Sequence, residues 1–287
     1  MPDPLRIARI ALCNLDSLAS RPAIADLFAA LPGRIGLVIA SRRYGGKYGG
    51  FWRQTWRNLR RSGVRFLGYL SLNYVWYRAL AALGRQAGWP CLTLRQTARR
   101  HGADYLETLE PNAPDVLARL AAYAPDLVIA AHFDHVIRRR FIAVPRHGVV
   151  NIHASLLPGL RGPFPVFWAL RRKAALGVSV HVIDSEDLDT GPVLGKRAIA
   201  TPPGATVLAL DALLLRAGAA LAVEAIGRLE AGTAAPVPQT PGAGSYHSYP
   251  AKAEVGAFHA QGLRLYGWRD VARLLRMDPA PTPPSTH

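Results

Sequence analysis

Two short segments of this chain combine residue types that can move protons and stabilise negative charge. In the first segment, Asn151 and His153 stand two residues apart, directly after the apolar run 148–150. Alternate side chains of a strand point to one face, so this amide and this imidazole are predicted to point the same way. Glycines and prolines follow, which predicts that the strand opens into a loop here. Open α/β sheets usually place their chemistry at such a strand end.

The second segment supplies a carboxylate. Residues 178–183 alternate in polarity as a strand does, and residues 184–192 form an acidic loop that closes on a Gly-Pro pair. A carboxylate such as Asp189 can orient an imidazole that carries protons, while a carboxamide can donate a hydrogen bond to an oxyanion. A lone acidic residue in such a loop is usually solvated or caps a turn. The combination of all three groups, however, predicts a catalytic site.

Together the two segments resemble the formyltransferases that use 10-formyltetrahydrofolate. Members of that family carry an Asn-x-His-x-Ser-Leu-Leu-Pro segment and, further along, an acidic loop that ends in a third catalytic residue. Here these positions are residues 151–158 and 189–191, and the spacing between them is similar to that of the family. Glu186 stands where many members have glycine, which is expected to alter the contact of the loop with the pterin. The resemblance runs from about residue 125 to residue 200.

The resemblance implies a role for each residue of the site. His153 would carry a proton from the attacking amine to the leaving folate nitrogen, Asp189 would orient the imidazole, and Asn151 would donate a hydrogen bond to the tetrahedral oxyanion. The resemblance also implies two sets of binding residues. Those for the folate are Phe133, Asp134, His135, Val136, Ile137, Glu186 and Asp187. Those for the acceptor are Ser155, Arg161 and Gly162.

Length and cysteine content limit the possible classes of protein. A chain of 287 residues can bury a sizeable core. Its two cysteines, Cys13 and Cys91, are too few for a disulfide framework and lack a metal-binding spacing. No metal site is expected, since His132 and His135 have no convincing carboxylate partner. The first residues lack the features of a signal peptide, so a cytoplasmic protein is expected, with the inner membrane surface as an alternative location and a homodimer left open.

The charge of +16 is concentrated in one part of the chain. Residues 27–103 contain fourteen Lys or Arg residues and no Asp or Glu, and the rest of the chain is nearly balanced. This segment is also rich in aromatic residues, which include Tyr44, Tyr48, Phe51, Trp52, Trp56, Phe66, Tyr69, Tyr74, Trp76, Tyr77 and Trp89. Residues 66–83 are apolar but too short and too interrupted by polar residues to predict a membrane span.

Helical spacing within this basic segment predicts an aromatic face beside a cationic one. The aromatic face would hold Trp52, Trp56 and Leu59, and the cationic stripe would hold Arg53, Arg57, Arg60 and Arg61. Three interpretations remain open. The segment is a helical hairpin packed on the sheet with solvated arginines, an interfacial helix on anionic lipid, or an electropositive lip that attracts an anionic substrate.

The order of apolar and turn segments predicts an α/β fold, a Rossmann-like doubly wound, mostly parallel sheet. Strands are predicted at 7–12, 35–40, 103–106, 127–131, 178–183 and 193–200, and helices at 22–31, 92–101, 115–123 and 206–229. The domain division that follows is a catalytic domain at 1–232 with a basic helical insert at about 44–90. A short C-terminal extension at 233–287 would end in a disordered tail.

The resemblance leaves the formyl acceptor open. A nucleotide-linked amino sugar or another small anionic amine is the first expectation, because a diphosphate suits the basic insert. Initiator tRNA suits the charge equally well, but residues 233–287 show no run of strands that would form the C-terminal barrel of methionyl-tRNA formyltransferases. Hydrolysis of formyltetrahydrofolate is a further alternative. A different class of function is a membrane- or nucleic-acid-binding protein on an inactive formyltransferase core, which the intact Asn151, His153 and Asp189 disfavour.

Overall fold

A computed structural model describes residues 6–42 and 49–277. The predictions made for Tyr44, Tyr48 and the tail at 279–287 lie outside the described residues. Within the described ranges, the molecule is built around a seven-stranded sheet with the strand order β3-β2-β1-β4-β5-β7-β8. Its strands are β1 Ile10–Asn14, β2 Ile35–Ser41, β3 Asp104–Thr108, β4 Leu127–Ala131, β5 Val149–His153, β7 Gly177–Ile183 and β8 Val193–Ala198.

The predicted mostly parallel sheet is confirmed. Strands β1 to β5 pair in parallel, and the largely apolar sequences of β1, β2 and β4 reflect burial on both faces. The last two strands run antiparallel, with β7 paired to β5 and β8 paired to β7. The antiparallel pairing of β5 with β7 places Asn151 directly opposite His181, which brings their side chains to one face.

Helices cover both faces of the sheet, as a doubly wound fold requires. They are α1 Arg21–Ala30, α4 Leu94–Arg100, α5 Pro114–Tyr123, α6 Arg139–Ile142, α7 Pro165–Arg172 and α8 Val207–Glu230. The larger core lies between the sheet and α8 with α1, and the smaller core lies under α5 and α6. The packing of α8 on the sheet requires glycine at position 218, because a Cβ there would lie 2.3 Å from the side chain of Ile152.

The basic insert forms a run of helical elements without an intervening loop. Helix α2 Gly50–Ser71 continues through a π turn at Leu72–Trp76 into α3 Tyr77–Gln86. The run bends at Gly63, whose φ of 80° and ψ of 173° depart from helical values. Beyond this bend Phe66 and Tyr69 enter the main core, whereas Trp52 before it is 82% exposed. The insert therefore contributes side chains to the main core after the bend, while Trp52 and Trp56 before the bend face solvent.

Residues that follow α8 pack against the residues that precede it in the sequence. The short strand β6 Leu160–Arg161 pairs in parallel with β9 Ser245–Tyr246, a contact that the sequence did not predict. Two further helices, α9 Lys252–Ala260 and α10 Trp268–Arg276, place Phe258 and Leu275 in the main core. No helix among the described residues is both long and apolar enough to cross a bilayer.

Candidate active site

A cavity opens at the carboxyl ends of the central parallel strands, where the sequence analysis expected the chemistry. Its volume is about 320 Å³, within the usual range of small-molecule sites. The backbone N–H of Leu15 after β1 donates to the carbonyl of His132 after β4 at 2.9 Å, so the loops after both strands are joined at the cavity. Asn151, His153 and Asp189 all line it.

The imidazole of His153 is held in one orientation. Its Nε2 donates to the carbonyl of Leu160 at 2.8 Å, so in the neutral ring the proton lies on Nε2 and Nδ1 carries a lone pair. That Nδ1 lies 3.5 Å from Oδ1 of Asp189. A proton that arrives on Nδ1 therefore meets a carboxylate, which stabilises the resulting cation.

The carboxylate of Asp189 is strongly favoured in its charged form. Burial opposes ionisation, but the charge of His153 and the hydrogen bonds that the carboxylate accepts hold its pKa well below its usual range. One of these bonds comes from the backbone N–H of Gly162 at 2.8 Å. Asp189 itself has a φ of 57°, and non-glycine residues in this left-handed region concentrate at functional sites. The side chain of Gln239 fixes the loop by donating to the carbonyls of Asp189 and Gly191.

Asn151 is tied to a second histidine. Its Nδ2 donates to Nε2 of His181 at 3.0 Å and makes a longer contact, 3.4 Å, with Oδ1 of Asp189. His181 in turn donates from Nδ1 to the carbonyl of Val182, which makes its Nε2 an acceptor. The sequence predicts a strand at 178–183, which contains His181, but gives no sign that His181 belongs to the site. Its contact with Asn151 follows from the antiparallel register, which the sequence does not reveal.

The residues predicted to bind folate fall into two adjoining groups. Phe133, Asp134, His135 and Val136 line the main cavity with the catalytic residues. Ile137, Glu186 and Asp187 line a smaller neighbouring cavity that shares Asn151 and Asp189 with it. The backbone N–H of Arg139 contacts Glu186 at 3.4 Å, so the acidic loop and the loop after β4 meet. The structure thus brings the predicted folate residues together along one wall.

The residues predicted to contact the acceptor are placed differently from one another. Gly162 lines the cavity, and a Cβ there would lie 2.4 Å from the carbonyl of His247, so only glycine fits. Ser155 is buried and donates to the carbonyl of Leu160 at 2.8 Å. Neither Ser155 nor Arg161 lines the cavity, and their contact with an acceptor stays a prediction.

A buried carboxyl group that the sequence analysis missed also faces the cavity. Asp211 projects from α8, is 6% exposed, and accepts a hydrogen bond from the hydroxyl of Tyr69 at 2.8 Å. Burial raises its pKa to about 7, although the Tyr69 hydrogen bond opposes that shift. One signal was available, because Asp211 is the single acidic residue between Asp189 and Glu224, within an Ala/Leu-rich helix.

Aromatic side chains line the cavity near this carboxyl group. Phe164 packs edge-on against Tyr249 with ring centroids 4.8 Å apart, and Phe66 of the insert packs edge-on against Phe164 at 5.1 Å. The guanidinium of Arg61 stacks over the ring of Tyr249 at 3.8 Å. Arg61 therefore does not share a solvent-facing stripe with Arg53, Arg57 and Arg60, which corrects that part of the sequence prediction.

Among the described residues no cluster of three metal-ligating side chains occurs.

The central part of the chain matches a known protein family. Residues 85–226 match the formyl transferase family model. A methionyl-tRNA formyltransferase of Roseiflexus sp. (strain RS-1) is 37% identical over 157 residues, which are 54% of this chain and 48% of that protein. The chain thus spans about half the length of the curated relatives it matches.

Solved structures share the fold. Glycinamide ribonucleotide transformylase 1 from Symbiobacterium toebii aligns over 82% of this chain and 95% of its own, with a TM-score of 0.53 and 22% identity. An N-formyltransferase from Helicobacter canadensis, in complex with folinic acid and dTDP-3-aminofucose, aligns over 84% of this chain and 71% of its own, with a TM-score of 0.52 and 16% identity. Residues 85–226 of this chain thus match the formyl transferase family, and the chain shares the fold of these solved proteins.

Proposed function

We propose that this protein transfers a formyl group from 10-formyltetrahydrofolate to a primary amine. The observation that carries the proposal is the pairing of His153 with Asp189 inside the cavity, with Nδ1 of the imidazole 3.5 Å from the carboxylate. Transfer to an amine requires one proton to leave the attacking nitrogen and one to reach the leaving folate nitrogen. A single imidazole with a fixed tautomer and a charged partner can carry both.

The residues around His153 account for each stage of such a transfer. The amine nitrogen attacks the formyl carbon, and its carbonyl oxygen becomes an oxyanion. The Asn151 amide can stabilise this charge by redirecting the hydrogen that makes the long 3.4 Å contact with Asp189. His153 takes the amine proton on Nδ1, Asp189 stabilises the imidazolium, and the same proton passes to the folate nitrogen as its bond to the formyl carbon breaks.

The cavity wall fits a folate in chemical character. It combines the ring of Phe133 with the ionisable side chains of Asp134 and His135 on the loop after β4. An aromatic surface suits a flat bicyclic ring, and polar groups can pair with its nitrogens and its amide. The solved relative from Helicobacter canadensis is a complex with folinic acid, which supports the assignment of this wall to the formyl donor.

For the acceptor we propose a small amine that carries negative charge, of which a nucleotide-linked amino sugar is the first choice. The excess of basic residues in 27–103 supports an anionic acceptor, and the Helicobacter canadensis enzyme was solved with dTDP-3-aminofucose. A second candidate acceptor is methionyl-tRNA, favoured by the 37% identity to a methionyl-tRNA formyltransferase. Both candidates present a primary amine on an anionic carrier.

The proposal is tested by following tetrahydrofolate release from 10-formyltetrahydrofolate in the presence of separate amines. The panel contains nucleotide-linked amino sugars, charged initiator tRNA and glycinamide ribonucleotide, with a reaction that lacks amine as the control. Release that depends on one amine, with equal formation of its formamide, supports transfer. Equal release with and without amine identifies a hydrolase and contradicts the proposal.

A further inference from the structure

The end of the cavity around Asp211 has no role in the chemistry described so far. Asp211 lines this cavity together with Leu15 and Leu215 and the aromatic rings of Tyr74, Phe164 and Tyr249. Its recorded partner is the Tyr69 hydroxyl, which leaves further acceptor positions on the carboxyl oxygens. A charged group in such surroundings is costly unless a partner of opposite charge joins it.

Resting on the function proposed above, we infer that Asp211 and its aromatic surroundings form a subsite for a primary ammonium group of the acceptor. A carboxylate supplies the opposite charge, and aromatic faces attract cations in addition. Transfer of one proton from the bound ammonium to Asp211 leaves a neutral amine beside a neutral carboxyl group, and the neutral amine is the form that attacks. The subsite lies in the same cavity as His153.

The origin of the surrounding residues supports a role in acceptor choice. Leu15, Tyr69, Tyr74 and Tyr249 all lie outside residues 85–226, the segment that matches the family model. The insert that supplies Tyr69 thus fixes the Asp211 side chain from outside the shared segment. An acceptor subsite built from such elements suits one acceptor and not the family as a whole.

The subsite is tested with butylammonium chloride as the probe and 1-butanol as its uncharged control, both followed by saturation-transfer NMR on the whole protein. Wild-type protein is expected to bind butylammonium, and Asp211→Asn is expected to bind it about tenfold more weakly or worse, since it loses a buried charge partner. Asp104→Asn, at an exposed carboxylate, is the matched control. Tyr69→Phe keeps the ring and should weaken binding to a smaller degree.

The dependence of binding on pH gives a second readout. Binding to the wild type should strengthen as the pH rises through about 7, where Asp211 ionises, and Asp211→Asn should lose that part of the dependence. Tyr69 contacts Asp211 directly, and the other titratable groups that line the cavity are Tyr74, His132, Asp134, His135, His153, Asp189, Tyr246 and Tyr249. They are present in both proteins, so the difference between the two curves isolates Asp211.

Equal binding of butylammonium by wild type and Asp211→Asn overturns the subsite, and so does absence of binding by both. Neither result touches the proposed function, which fails separately if no amine increases tetrahydrofolate release. If Asp211→Asn binds neither butylammonium nor 1-butanol, the substitution has damaged the cavity. Butylammonium binding by Tyr69→Phe is then compared with that of the wild type to test the subsite. If Tyr69→Phe binds butylammonium as wild type does, the subsite is wrong.

A second, independent observation concerns the outer face of α2 before the bend at Gly63. Trp52 is 82% exposed and Trp56 is 59% exposed, one helical turn apart. Arg53, Arg57 and Arg60 lie on the same part of the helix and pair with no acidic side chain that the structure describes. Exposed tryptophans cost solvation free energy in water, whereas an indole is stabilised at a membrane interface.

We propose that this face docks on an anionic phospholipid bilayer. Arginines beside tryptophans on one helix are typical of interfacial helices that bind acidic lipid. The absence of acidic residues from 27–103 removes repulsion from such a surface. The exposed indoles of Trp52 and Trp56 are amphipathic and sit at the headgroup level of a bilayer, which favours lipid as the partner.

Docking is tested by sedimentation with phosphatidylcholine vesicles that contain about one third phosphatidylglycerol, against vesicles of phosphatidylcholine alone. Wild type is expected to pellet with the anionic vesicles, and Trp52→Ala/Trp56→Ala is expected to lose about tenfold or more in affinity. Trp268→Ala removes another exposed tryptophan, 67% accessible on α10, and should pellet as wild type does. Failure of wild type to pellet overturns the proposal. The proposal is also overturned if Trp52→Ala/Trp56→Ala still binds the vesicles but no longer binds unfractionated tRNA, since nucleic acid would then be the partner of this face.

Discussion

The two ends of the cavity differ in where their residues come from. The end with Asn151, His153 and Asp189 is made of strands and loops inside the segment that matches the formyl transferase family. The other end, around Asp211, is completed by residues of the basic insert and by Tyr246 and Tyr249 near the C-terminal helices. The first end lies within the shared segment, whereas the second combines Asp211 of that segment with side chains from outside it.

This difference teaches how a single fold can keep one reaction and change its acceptor. The chemistry depends on distances set by neighbouring strands, such as the register that opposes Asn151 and His181. The acceptor contacts that we propose depend on side chains from segments that pack on the sheet, such as Tyr69 against Asp211. If this division is right, substitutions at the first end lower turnover and those at the second end change acceptor affinity.

The largest effect is expected at His153. Replacement by alanine removes the group that carries the proton, so kcat should fall by about 10³–10⁴, while the Michaelis constant for 10-formyltetrahydrofolate stays within a few-fold. Steady-state kinetics and folate binding measured on the same folded preparation check this. Turnover close to wild type would show that the imidazole is structural.

Substitution of Asp189 tests the same end of the cavity. Asp189→Asn keeps the shape but removes the charge that faces Nδ1, so kcat should fall by about 10²–10³. The sign of its effect on stability is also fixed. Because the pKa of Asp189 is lowered in the folded state, the carboxylate stabilises the fold at pH values above the pKa of the unfolded chain. This stabilisation is lost as the pH falls. The variant should therefore unfold more readily than wild type at pH 7, and this difference should narrow as the pH falls below about 4, where the unfolded carboxyl group takes up its proton. A drop in folate affinity with unchanged kcat would instead make Asp189 a binding residue.

Sequence patterns singled out Asn151, His153 and Asp189, which line one cavity, but did not indicate Asp211. Asn151 and His153 are separated by one residue on a strand, and that local spacing already fixes their common direction. The strands predicted near 35–40 and 127–131 also occur, as β2 and β4, because continuous apolar runs mark buried parallel strands.

The contacts that the sequence did not reveal are those between residues far apart in the chain. Tyr69 and Asp211 are 142 residues apart, and nothing local to either residue indicates the other. The pairing of β6 with β9 and the stacking of Arg61 on Tyr249 are of the same kind. The helices α9 and α10 also escaped prediction, since each is nine residues long and short helices carry little periodic signal.

A thermal measurement separates a functional Asp211 from a structural one. A carboxyl group with a folded-state pKa raised to about 7 stabilises the fold at low pH, and this contribution is lost as the pH rises through that value. At pH 8 the charged group therefore costs stability, and Asp211→Asn should raise Tm by about 2–4 °C there, with a smaller change at pH 5. Calorimetry at the two pH values checks this. A lower Tm at both would make Asp211 a structural hydrogen-bonding group.

The smallest effect tests the acceptor end through two adjacent arginines. Arg61 stacks on Tyr249 of the cavity wall, while Arg60 is exposed. Arg61→Ala should raise the acceptor Michaelis constant by about two- to fivefold, the effect of losing one cation–π contact, and Arg60→Ala should leave it unchanged. Equal changes in both variants would indicate a general effect of positive charge on acceptor capture and would remove the distinction between the two side chains.

The most direct test of the central claim is to follow the formyl carbon itself. With 10-formyltetrahydrofolate labelled with ¹³C in the formyl group, NMR distinguishes the formamide of an acceptor amine from free formate. We expect the label to appear in the formamide of one amine of the panel with wild-type protein, and to remain on the folate with His153→Ala. Label that accumulates as formate at the same rate with and without amine would contradict formyl transfer as the function of this cavity.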